Sequence, residues 1–358
     1  MNAGKDKIIN FLQNVKGKAI LGIDGIIDEV WYVVDTRTGA TTFEPMQHMK
    51  HFGELIVERG SGGLAKELVK KRRTCGGFTA NTGRALTRLG IDTTMIGTYG
   101  SGQFDPAFDE FVGTKRFSLG APAVCSILEF TDGKIMMPQL ENLLQLDWAQ
   151  LKSMLDIIEN GKVFEGADII GLGYWSNMPD FDNILTGLVN EYLTTGSPKR
   201  LFFDFANITK KTVQALKQTL TVMKALNEKI PMTLSLNEHE GALFFEYFDI
   251  KENAGDNVYA ISALSDKIGI DEIVIHTPHF AAIATAHEGN LYAEQTFVEK
   301  PVRTAGAGDS FNGGYIASCL GGLGLCERLA VANAVTNFYV SQGYPPDGEQ
   351  LVSYLTTH

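Results

Sequence analysis

Residues 303–314, RTAGAGDSFNGG, join a glycine-rich turn and one acidic side chain to a predicted helix over 310–320. Unpaired backbone N–H groups at a helix N-terminus attract anions, and glycines let a polyphosphate approach the backbone closely. Gly306, Ala307 and Gly308 therefore form a candidate anion hole. A carboxylate repels phosphate, so Asp309 fits this turn best as a base that takes a proton from an attacking hydroxyl. A helix N-cap with a glycine turn is the alternative interpretation.

Two segments upstream add to this pattern. Residues 76–90, GGFTANTGRALTRLG, contain paired glycines, an Asn and a helical pattern that ends at glycine. Residues 237–240, NEHE, have an Asn-x-x-Glu spacing. Taken in this order, the three segments resemble the motifs of the PfkB (ribokinase-like) carbohydrate kinase family, in which the 303–309 motif usually reads Asp-Thr-x-Gly-Ala-Gly-Asp. The resemblance extends over most of the chain, from about residue 20 to about residue 343.

The resemblance implies a ribokinase-like three-layer α/β/α domain with a mostly parallel central sheet and a small β lid. It also implies an ATP-dependent phosphotransferase that uses Mg²⁺ and phosphorylates a hydroxyl of a sugar or sugar-like small molecule, with Asp309 as the base. A nucleoside kinase of the same fold is one alternative. A non-catalytic regulatory protein that binds a nucleotide or a sugar is the other, although a carboxylate beside phosphates gives a pure binder no advantage.

Asn237 and Glu240 are the candidate metal residues, because relatives use this motif near the magnesium-bound phosphates. Magnesium keeps several waters and needs few protein ligands, so the contact is expected to run through water. An N-cap Asn with a Glu in the first helical turn explains the same spacing as a capping arrangement. The spacing alone does not decide between the two, and the presence of the other motifs favours the metal role.

The candidate sugar site combines Asp28, Asp24, Gly76, Gly77 and Asn81. The two acids follow the first predicted strand, at the carboxyl edge where open α/β sheets bind ligands. The resemblance matches Asp28 best to the substrate aspartate of the family, and Asp24 is also a candidate turn residue. The glycines allow backbone to approach a ligand, and Asn81 offers a partner for a hydroxyl.

The nucleotide is expected at Thr304 and at the small residues Ala332, Asn333 and Ala334. Relatives place a similar small-residue stretch of the C-terminal helix beside the adenine. Close helix packing explains the alanines equally well.

Two positions depart from the family pattern. Arg303 replaces an acidic residue that helps many relatives bind a monovalent cation, so we expect no dependence on potassium, because the guanidinium itself supplies positive charge. Pro278 stands in a segment where relatives commonly have Thr-x-Gly against the nucleotide phosphates, and it lacks a backbone donor. His276 and His279 in this segment are expected to be exposed loop residues.

Short β-branched runs alternate with helical patterns, which predicts a mostly parallel sheet covered by helices. The predicted strands cover residues 18–23, 93–97, 168–173, 200–205, 232–236 and 272–276. The predicted helices cover residues 79–89, 148–160, 180–193, 210–226, 238–248, 258–268, 310–320 and 325–342.

We expect one domain over residues 1–358, with two lid segments inserted at approximately 30–40 and 122–138. Both segments alternate like strands, and the second contains a Thr131-Asp132-Gly133 turn signal. In relatives such a lid closes over the sugar and sometimes forms a dimer interface. A homodimer through this lid is therefore an expectation to test.

The composition narrows the classes of partner. A net charge of −11 disfavours a nucleic-acid surface. The basic run at residues 70–73, KKRR, is predicted to be a solvated helix end.

The four cysteines have no C-x-x-C spacing, which favours buried free thiols over zinc or disulfides. No window has the roughly 20 apolar residues that span a bilayer, so we expect a cytoplasmic protein without a membrane partner.

Overall fold

The computed structural model describes residues 2–193, 197–250 and 257–357. In chain order its strands are β1 (Lys18–Ile23), β2 (Ile26–Arg37), β3 (Phe43–Pro45), β4 (Leu68–Gly76), β5 (Asp92–Gly97), β6 (Lys115–Ser118), β7 (Ala123–Glu129), β8 (Lys134–Gln139), β9 (Ile169–Gly173), β10 (Arg200–Asp204), β11 (Met232–Asn237), β12 (Glu272–His276), β13 (Phe280–Thr285) and β14 (Gly289–Glu294).

The helices follow the same order along the chain. They are α1 (Asn2–Gln13), α2 (Met49–Glu58), α3 (Gly77–Arg88), α4 (Glu141–Leu144), α5 (Trp148–Ile157), α6 (Phe181–Gly187), α7 (Val213–Asn227), α8 (Glu238–Tyr247), α9 (Asn257–Ile268), α10 (Ala307–Leu320), α11 (Leu325–Gln342) and α12 (Gly348–Thr357).

The main sheet has the strand order β14-β13-β12-β11-β10-β9-β1-β5-β6. The strands from β12 to β6 are parallel, and β13 and β14 add an antiparallel edge. The register pairs Asp204 with Ser235 and Asn237 with His276. Parallel pairing thus brings the polar residues that end successive strands to one edge of the sheet.

Apolar side chains pack on both faces of this sheet. One buried cluster joins the sheet to α5, α6, α7, α8 and α9, and a second joins its other face to α1, α3, α10, α11 and α12. Strands that are buried on both faces read as nearly continuous apolar runs, which is why most of them were predictable. The three-layer α/β/α architecture with a mostly parallel sheet is confirmed.

A second, smaller sheet holds both segments that we predicted to alternate like strands. Its order is β3-β2-β7-β8, and β4 pairs with β2. β2 and β7 run parallel from the pair Ile26 and Ala123. The predicted turn closes the β7–β8 hairpin, where the Phe130 N–H donates to the Gly133 carbonyl at 2.9 Å. We refer to this sheet as the lid.

The prediction of a helix end at residues 70–73 was wrong, because this basic run lies in lid strand β4. Its cations pair with acids on neighbouring strands and loops: Lys70 with Glu29 at 2.9 Å, Arg72 with Glu129 at 3.2 Å and Arg73 with Asp105 at 2.5 Å. A polar edge strand lacks the apolar alternation that identifies a strand in sequence.

Two smaller points concern the surface. All four cysteines are free, but the prediction of burial was wrong for Cys326, which is exposed, whereas Cys75 and Cys125 are buried. Within the described residues, no helix is long and apolar enough to cross a membrane.

Candidate active site

Helix α10 begins at Ala307, earlier than the predicted start at residue 310. Its N-cap is Gly306, which has a positive φ of 86°. A Cβ at this position would also lie 2.9 Å from the Tyr339 hydroxyl oxygen, so both the backbone angle and the packing favour glycine. The earlier start places Asp309 inside the first turn of the helix.

The predicted anion hole lies at this helix terminus. The Ala307 N–H donates to the Thr304 carbonyl at 3.1 Å, which closes the loop on itself. Among the described residues, the N–H groups of Gly306, Gly308 and Asp309 have no acceptor. Free N–H groups at a helix N-terminus are suited to an anion.

Asp309 is buried and held at both of its carboxylate oxygens. Asn81 Nδ2 donates to Oδ2 at 2.9 Å, and the Tyr174 hydroxyl donates to Oδ1 at 2.9 Å. Burial and, to a lesser degree, the charge of Asp204 raise the pKa of Asp309 to about 7, and the two hydrogen bonds oppose this shift. A carboxyl with a pKa near neutrality can accept a proton at working pH.

Asp204 ends strand β10 beside this group, and we did not single it out from the sequence. Its carboxylate accepts from the Ala206 N–H at 2.8 Å and from Asn312 Nδ2 at 2.7 Å. The Ser235 hydroxyl in turn donates to Asn312 Oδ1 at 2.7 Å. Burial raises the pKa of Asp204 to about 6. Its position near the carboxyl end of a predicted strand, where open α/β sheets bind ligands, could have identified it from the sequence.

Asn237 and Glu240 form a reciprocal capping box at the start of α8. The Glu240 N–H donates to Asn237 Oδ1 at 3.0 Å, and the Asn237 N–H donates to Glu240 Oε2 at 2.9 Å. Burial raises the pKa of Glu240, and the charge of Asp204 raises it further, to about 9. The capping interpretation is therefore correct, and the carboxyl also lies in an acidic, buried environment. No cluster of three or more His, Cys, Asp or Glu side chains suited to a metal occurs in the described residues.

A cavity of about 1010 Å³ opens at this edge of the sheet. It is lined by the ends of β10, β11 and β12, the loop at residues 304–309, part of the segment 295–301 and one side of α11. Asp204, Asn237, Glu240 and Asp309 all line it. Ligand pockets commonly measure about 300–1,000 Å³, so the cavity has room for a nucleotide.

The predicted sugar residues do not line this cavity, and one of them, Asn81, contacts Asp309. Asp28 lies on lid strand β2, and no hydrogen bond or ion pair engages its carboxylate within the described residues. Burial raises its pKa, and the charges of Lys134 and Arg303 oppose this shift. A Cβ on Gly76 would lie 2.5 Å from Asp28 Oδ2, so glycine leaves room for this carboxylate.

Asp24 has a different environment from Asp28. It is fully buried, and its carboxylate accepts from the N–H groups of Phe78 and Thr79 at 2.8 Å each and from the Thr79 hydroxyl. These groups lie in the first turn of α3, so Asp24 caps that helix. Gly77 in the same turn has a positive φ of 84°, and a Cβ there would collide with Asp24 Oδ2. Asp28 is thus the carboxylate that stays free.

Asn81 is engaged at both ends of its amide. Besides its bond to Asp309, it accepts from Arg84 Nη1 through Oδ1 at 2.8 Å. Arg84 is itself paired with Glu110, at 2.6 Å between Nε and Oε2. This chain of contacts fixes the amide orientation that presents a donor to the carboxylate.

Only one of the four predicted nucleotide residues, Thr304, lines the cavity. Ala332 is fully buried and its Cα lies 2.9 Å from the position of a Cβ built on Gly314, so it belongs to the packing between α10 and α11. Asn333 and Ala334 are also buried. Nucleotide contact by these three residues stays a prediction. The part of α11 that lines the cavity comprises Thr336, Asn337 and Val340.

The histidine prediction was correct for His279 and wrong for His276. His279 is exposed, whereas His276 is half-buried and lines the cavity. The His276 ring stacks on Phe311 of α10, with the ring centroids 4.6 Å apart. A residue at a strand end can face either solvent or the site, and the docking of α10 decides between the two.

Arg303 lies beside the anion loop. Its guanidinium carbon is 5.6 Å from the centroid of the Tyr339 ring, and the Tyr339 hydroxyl donates to the Ala305 carbonyl. Arg303 Nε is buried and has no hydrogen-bond partner in the described part of the chain. A fixed positive charge therefore stands next to the loop.

Known proteins resemble this chain over nearly its whole length. A sequence model of the prokaryotic ketohexokinase family matches residues 6–358. The ketohexokinase of Haloferax volcanii is 28% identical over 348 residues, covering 95% of this chain and 91% of that protein.

Solved structures share the fold at low identity. A ribokinase II from E. coli in complex with ATP and Mg²⁺ superposes with a TM-score of 0.63 at 15% identity, covering 96% of this chain and 100% of that chain. The nucleoside kinase of Methanocaldococcus jannaschii superposes with a TM-score of 0.61 at 13% identity, covering 96% and 99%. These likenesses show the fold, and the match to the family model shows the family. The chain belongs to the prokaryotic ketohexokinase family, and it is a PfkB-type carbohydrate kinase.

Proposed function

We propose that the protein transfers the γ-phosphoryl group of ATP to a hydroxyl of a ketohexose, with Asp309 as the general base. One observation carries this proposal: the Asp309 carboxylate is buried in the first turn of α10, lines the large cavity and is held by Tyr174 and Asn81. The family and the H. volcanii relative, both named for ketohexokinase, support the acceptor. The ATP and Mg²⁺ in the E. coli structure support the donor and the metal.

In the proposed reaction, Asp309 accepts the hydroxyl proton while the sugar oxygen forms a bond to the γ-phosphorus. The bond between the γ-phosphorus and the β–γ bridging oxygen breaks, and ADP leaves with that electron pair. A pKa of about 7 lets Asp309 be ionised before transfer and protonated after it. Tyr174 and Asn81 hold the carboxylate of Asp309 in one orientation, so less entropy is lost when it meets the sugar hydroxyl.

The loop at residues 306–308 stabilises the negative charge on the transferred phosphoryl group. The free N–H groups of Gly306 and Gly308 act directly, together with the partial positive charge of the α10 N-terminus. The Ala307 N–H supports the same hole indirectly, because its bond to the Thr304 carbonyl shapes the loop. Thr304 itself lines the nucleotide cavity.

Asn237 and Glu240 would hold Mg²⁺ through water, and Asp204 lies beside Glu240. The donor set fits this ion, since Asp204 and Glu240 are acidic groups at the cavity with raised pKa values and no ion pair in the described part of the chain. A divalent cation relieves the repulsion between such groups, and Mg²⁺ requires few protein ligands. When bound, it neutralises charge on the nucleotide phosphates.

Asp28 binds two hydroxyl groups of the sugar. The carboxylate of Asp28 is suited to this, because it lies in the lid and has no partner in the described part of the chain. Gly76 and Gly77 let the ligand approach, and Asn81 connects the sugar side to the base. Asp24 stabilises the start of α3, the helix that carries Asn81, by accepting from the N–H groups of Phe78 and Thr79.

Replacing Asp309 with Asn should lower kcat by about 100-fold or more, because it removes a positioned base. The assay is ADP release with MgATP over ketohexoses, other hexoses, pentoses, sugar acids and nucleosides. The unfolding temperature and the nucleotide affinity serve as controls, since Asn is nearly isosteric with Asp. For the unmodified protein, kcat/KM should fall as the pH drops below about 7, where Asp309 becomes protonated. Full activity of D309N would exclude the base, and turnover of nucleosides alone would favour a nucleoside kinase.

Asp28 and Asp24 offer a matched pair of variants. Asp28→Asn should raise KM for the sugar by about 10- to 100-fold and leave KM for ATP unchanged, because hydrogen bonds to a charged group are lost. Asp24→Ala should instead lower the free energy of unfolding by about 1–3 kcal/mol, because it leaves buried N–H groups of α3 without an acceptor. Urea unfolding and steady-state kinetics separate the two effects. A sugar-specific KM defect in D24A with full stability would reverse the two roles.

Glu240→Gln tests the metal role without breaking the helix cap, because Gln also completes a capping box. The Mg²⁺ concentration for half-maximal activity should rise by about 10-fold or more, as for other weakened metal sites. The control is the unfolding temperature without metal, which should not fall. An unchanged Mg²⁺ dependence would limit Glu240 to capping.

Activity should be equal in K⁺ and Na⁺ at constant ionic strength. The Arg303 guanidinium lies next to the anion loop on the Tyr339 ring, where it supplies the positive charge that a monovalent cation would bring. The measurement is the rate of ADP release in chloride salts of the two cations, with choline as a control cation. Activation by K⁺ over Na⁺ would contradict this assignment.

A further inference from the structure

Arg84 of α3 lies between the candidate base and a short 3₁₀ helix, Pro106–Phe111, that follows β5. Residues three apart on a helix lie on the same face, so Arg84 is next to Asn81. Arg84 Nη1 donates to Asn81 Oδ1 at 2.8 Å, and Asn81 Nδ2 donates to Asp309 Oδ2 at 2.9 Å. Two successive hydrogen bonds therefore join the guanidinium to the carboxylate that we propose as the base.

The other side of the guanidinium is held by Glu110, which lies in this 3₁₀ helix. Arg84 Nε donates to Glu110 Oε2 at 2.6 Å, and Arg84 Nη2 donates to Glu110 Oε1 at 2.7 Å. A bidentate pair of this kind fixes the plane of a guanidinium. The remaining nitrogen, Nη1, is thereby directed at Asn81.

Glu110 is in turn attached to lid strand β4. The Cys75 thiol of this strand donates to Glu110 Oε1 at 2.8 Å. Asp105 is the N-cap of the 3₁₀ helix, and it accepts from Arg73 Nη1 and Nη2 at 2.5 and 2.8 Å. Contacts with β4 at two points thus fix the position of the acid that holds Arg84.

Stability alone does not account for an arginine at this depth. The side chain of Arg84 is 14% exposed. Burial opposes its charge, but the bonds to Glu110 outweigh this effect and hold the pKa of Arg84 above its usual range. Replacing a buried ion pair with apolar side chains of similar volume is often neutral or stabilising. What apolar side chains could not provide is a donor that fixes the Asn81 amide.

The orientation of this amide determines which of its ends faces Asp309. An amide has a donor end and an acceptor end. While Arg84 donates to the Asn81 oxygen, the amide nitrogen faces the carboxylate. In the reversed orientation two oxygen atoms would face and repel each other. Arg84 therefore selects the orientation in which Asn81 stabilises the ionised base.

The titratable groups around Asp309 are mostly acids or tyrosines. They are Asp24 after β1, Tyr174 after β9, Asp204 at the end of β10, Glu240 of α8, Tyr339 of α11 and Arg84 of α3. Burial and the charge of Asp204 raise the pKa of Asp309 to about 7, and the charge of Arg84 opposes this shift. Arg84 is the cation in this set, and it favours the ionised carboxylate.

We propose that Arg84 and Glu110 are positioning residues for the phosphoryl transfer and act on Asp309 through Asn81. Glu110 fixes the guanidinium, the guanidinium fixes the amide, and the amide donates to the carboxylate. This inference rests on the proposed role of Asp309 as the general base.

Arg84→Met removes the guanidinium and keeps a long apolar side chain. With MgATP and a ketohexose, kcat should fall about 10- to 100-fold, as for other losses of orientation, and KM for ATP should stay unchanged. The acid limb of kcat/KM should move to higher pH by about one unit, because Asp309 loses a donor and a nearby cation. Arg84→Lys keeps the charge and a donor, so it should recover part of both effects.

Glu110→Gln should move the acid limb in the opposite direction, to lower pH. Gln keeps an acceptor for Arg84 but no longer offsets its charge, so the ionised form of Asp309 becomes more favourable. An ion pair that only stabilised the fold would make both variants less stable and leave the pH profile unchanged. The Glu110 side chain is 39% exposed, so this variant tests the inference even if Arg84→Met does not fold.

Arg88→Met is the matched control, because Arg88 lies one turn further along α3 and donates to Gln350 Oε1 at 3.1 Å. It should lower the unfolding temperature without changing kcat or the acid limb. Wild-type kcat and pH profile in a folded R84M would overturn the inference and leave the proposed kinase function intact. Shifts of R84M and E110Q in the same direction would also overturn it. Full activity of D309N would reject the base, and the inference with it.

Discussion

A carboxylate that is buried without a cation must be held by hydrogen-bond donors, and Asp309 receives them from Asn81 and Tyr174. Each donor comes from a different element, α3 and the loop after β9, while the acid sits in α10. The site therefore forms only when α10 docks closely on both. That docking depends on small residues: a Cβ on Gly313 would lie 2.5 Å from Ala85 Cβ in α3. The close packing of α10 on α3 is therefore also what brings the donors to Asp309.

The parallel sheet supplies the second half of the site. Because β10, β11 and β12 are in register and point the same way, Asp204, Asn237 and His276 meet at one edge. Asn312 of α10 donates to Asp204 of β10 and accepts from Ser235 of β11, so the same helix is hydrogen-bonded to both strands near this edge. The helix thus positions both the carboxylate that we propose as the base and the strand-end residues that we propose for the metal.

Much of the fold could be read from local pattern. The bounds of β1, β12 and α11 match the predicted ranges, because buried parallel strands appear as short apolar runs and α11 lies between two glycines, Gly324 and Gly343. The errors have physical causes. The strand at residues 70–73 is polar because its cations are paired across the lid, and α10 starts early because Gly306 adopts a left-handed angle that sequence does not reveal.

From sequence alone, the motifs around Asp309, Asn81 and Glu240 determined the family resemblance, since glycine turns and acids rarely occur together in this order and at these spacings by chance. The resemblance matched Asp28 better than Asp24, but sequence could not show which of the two carboxylates is already held by donors, or whether Asn237 caps α8. Those distinctions depend on which side chain already has a partner. Partners such as Tyr174 for Asp309, or Phe311 for His276, are far apart in the chain or chosen by helix docking, and only the tertiary structure brings them together.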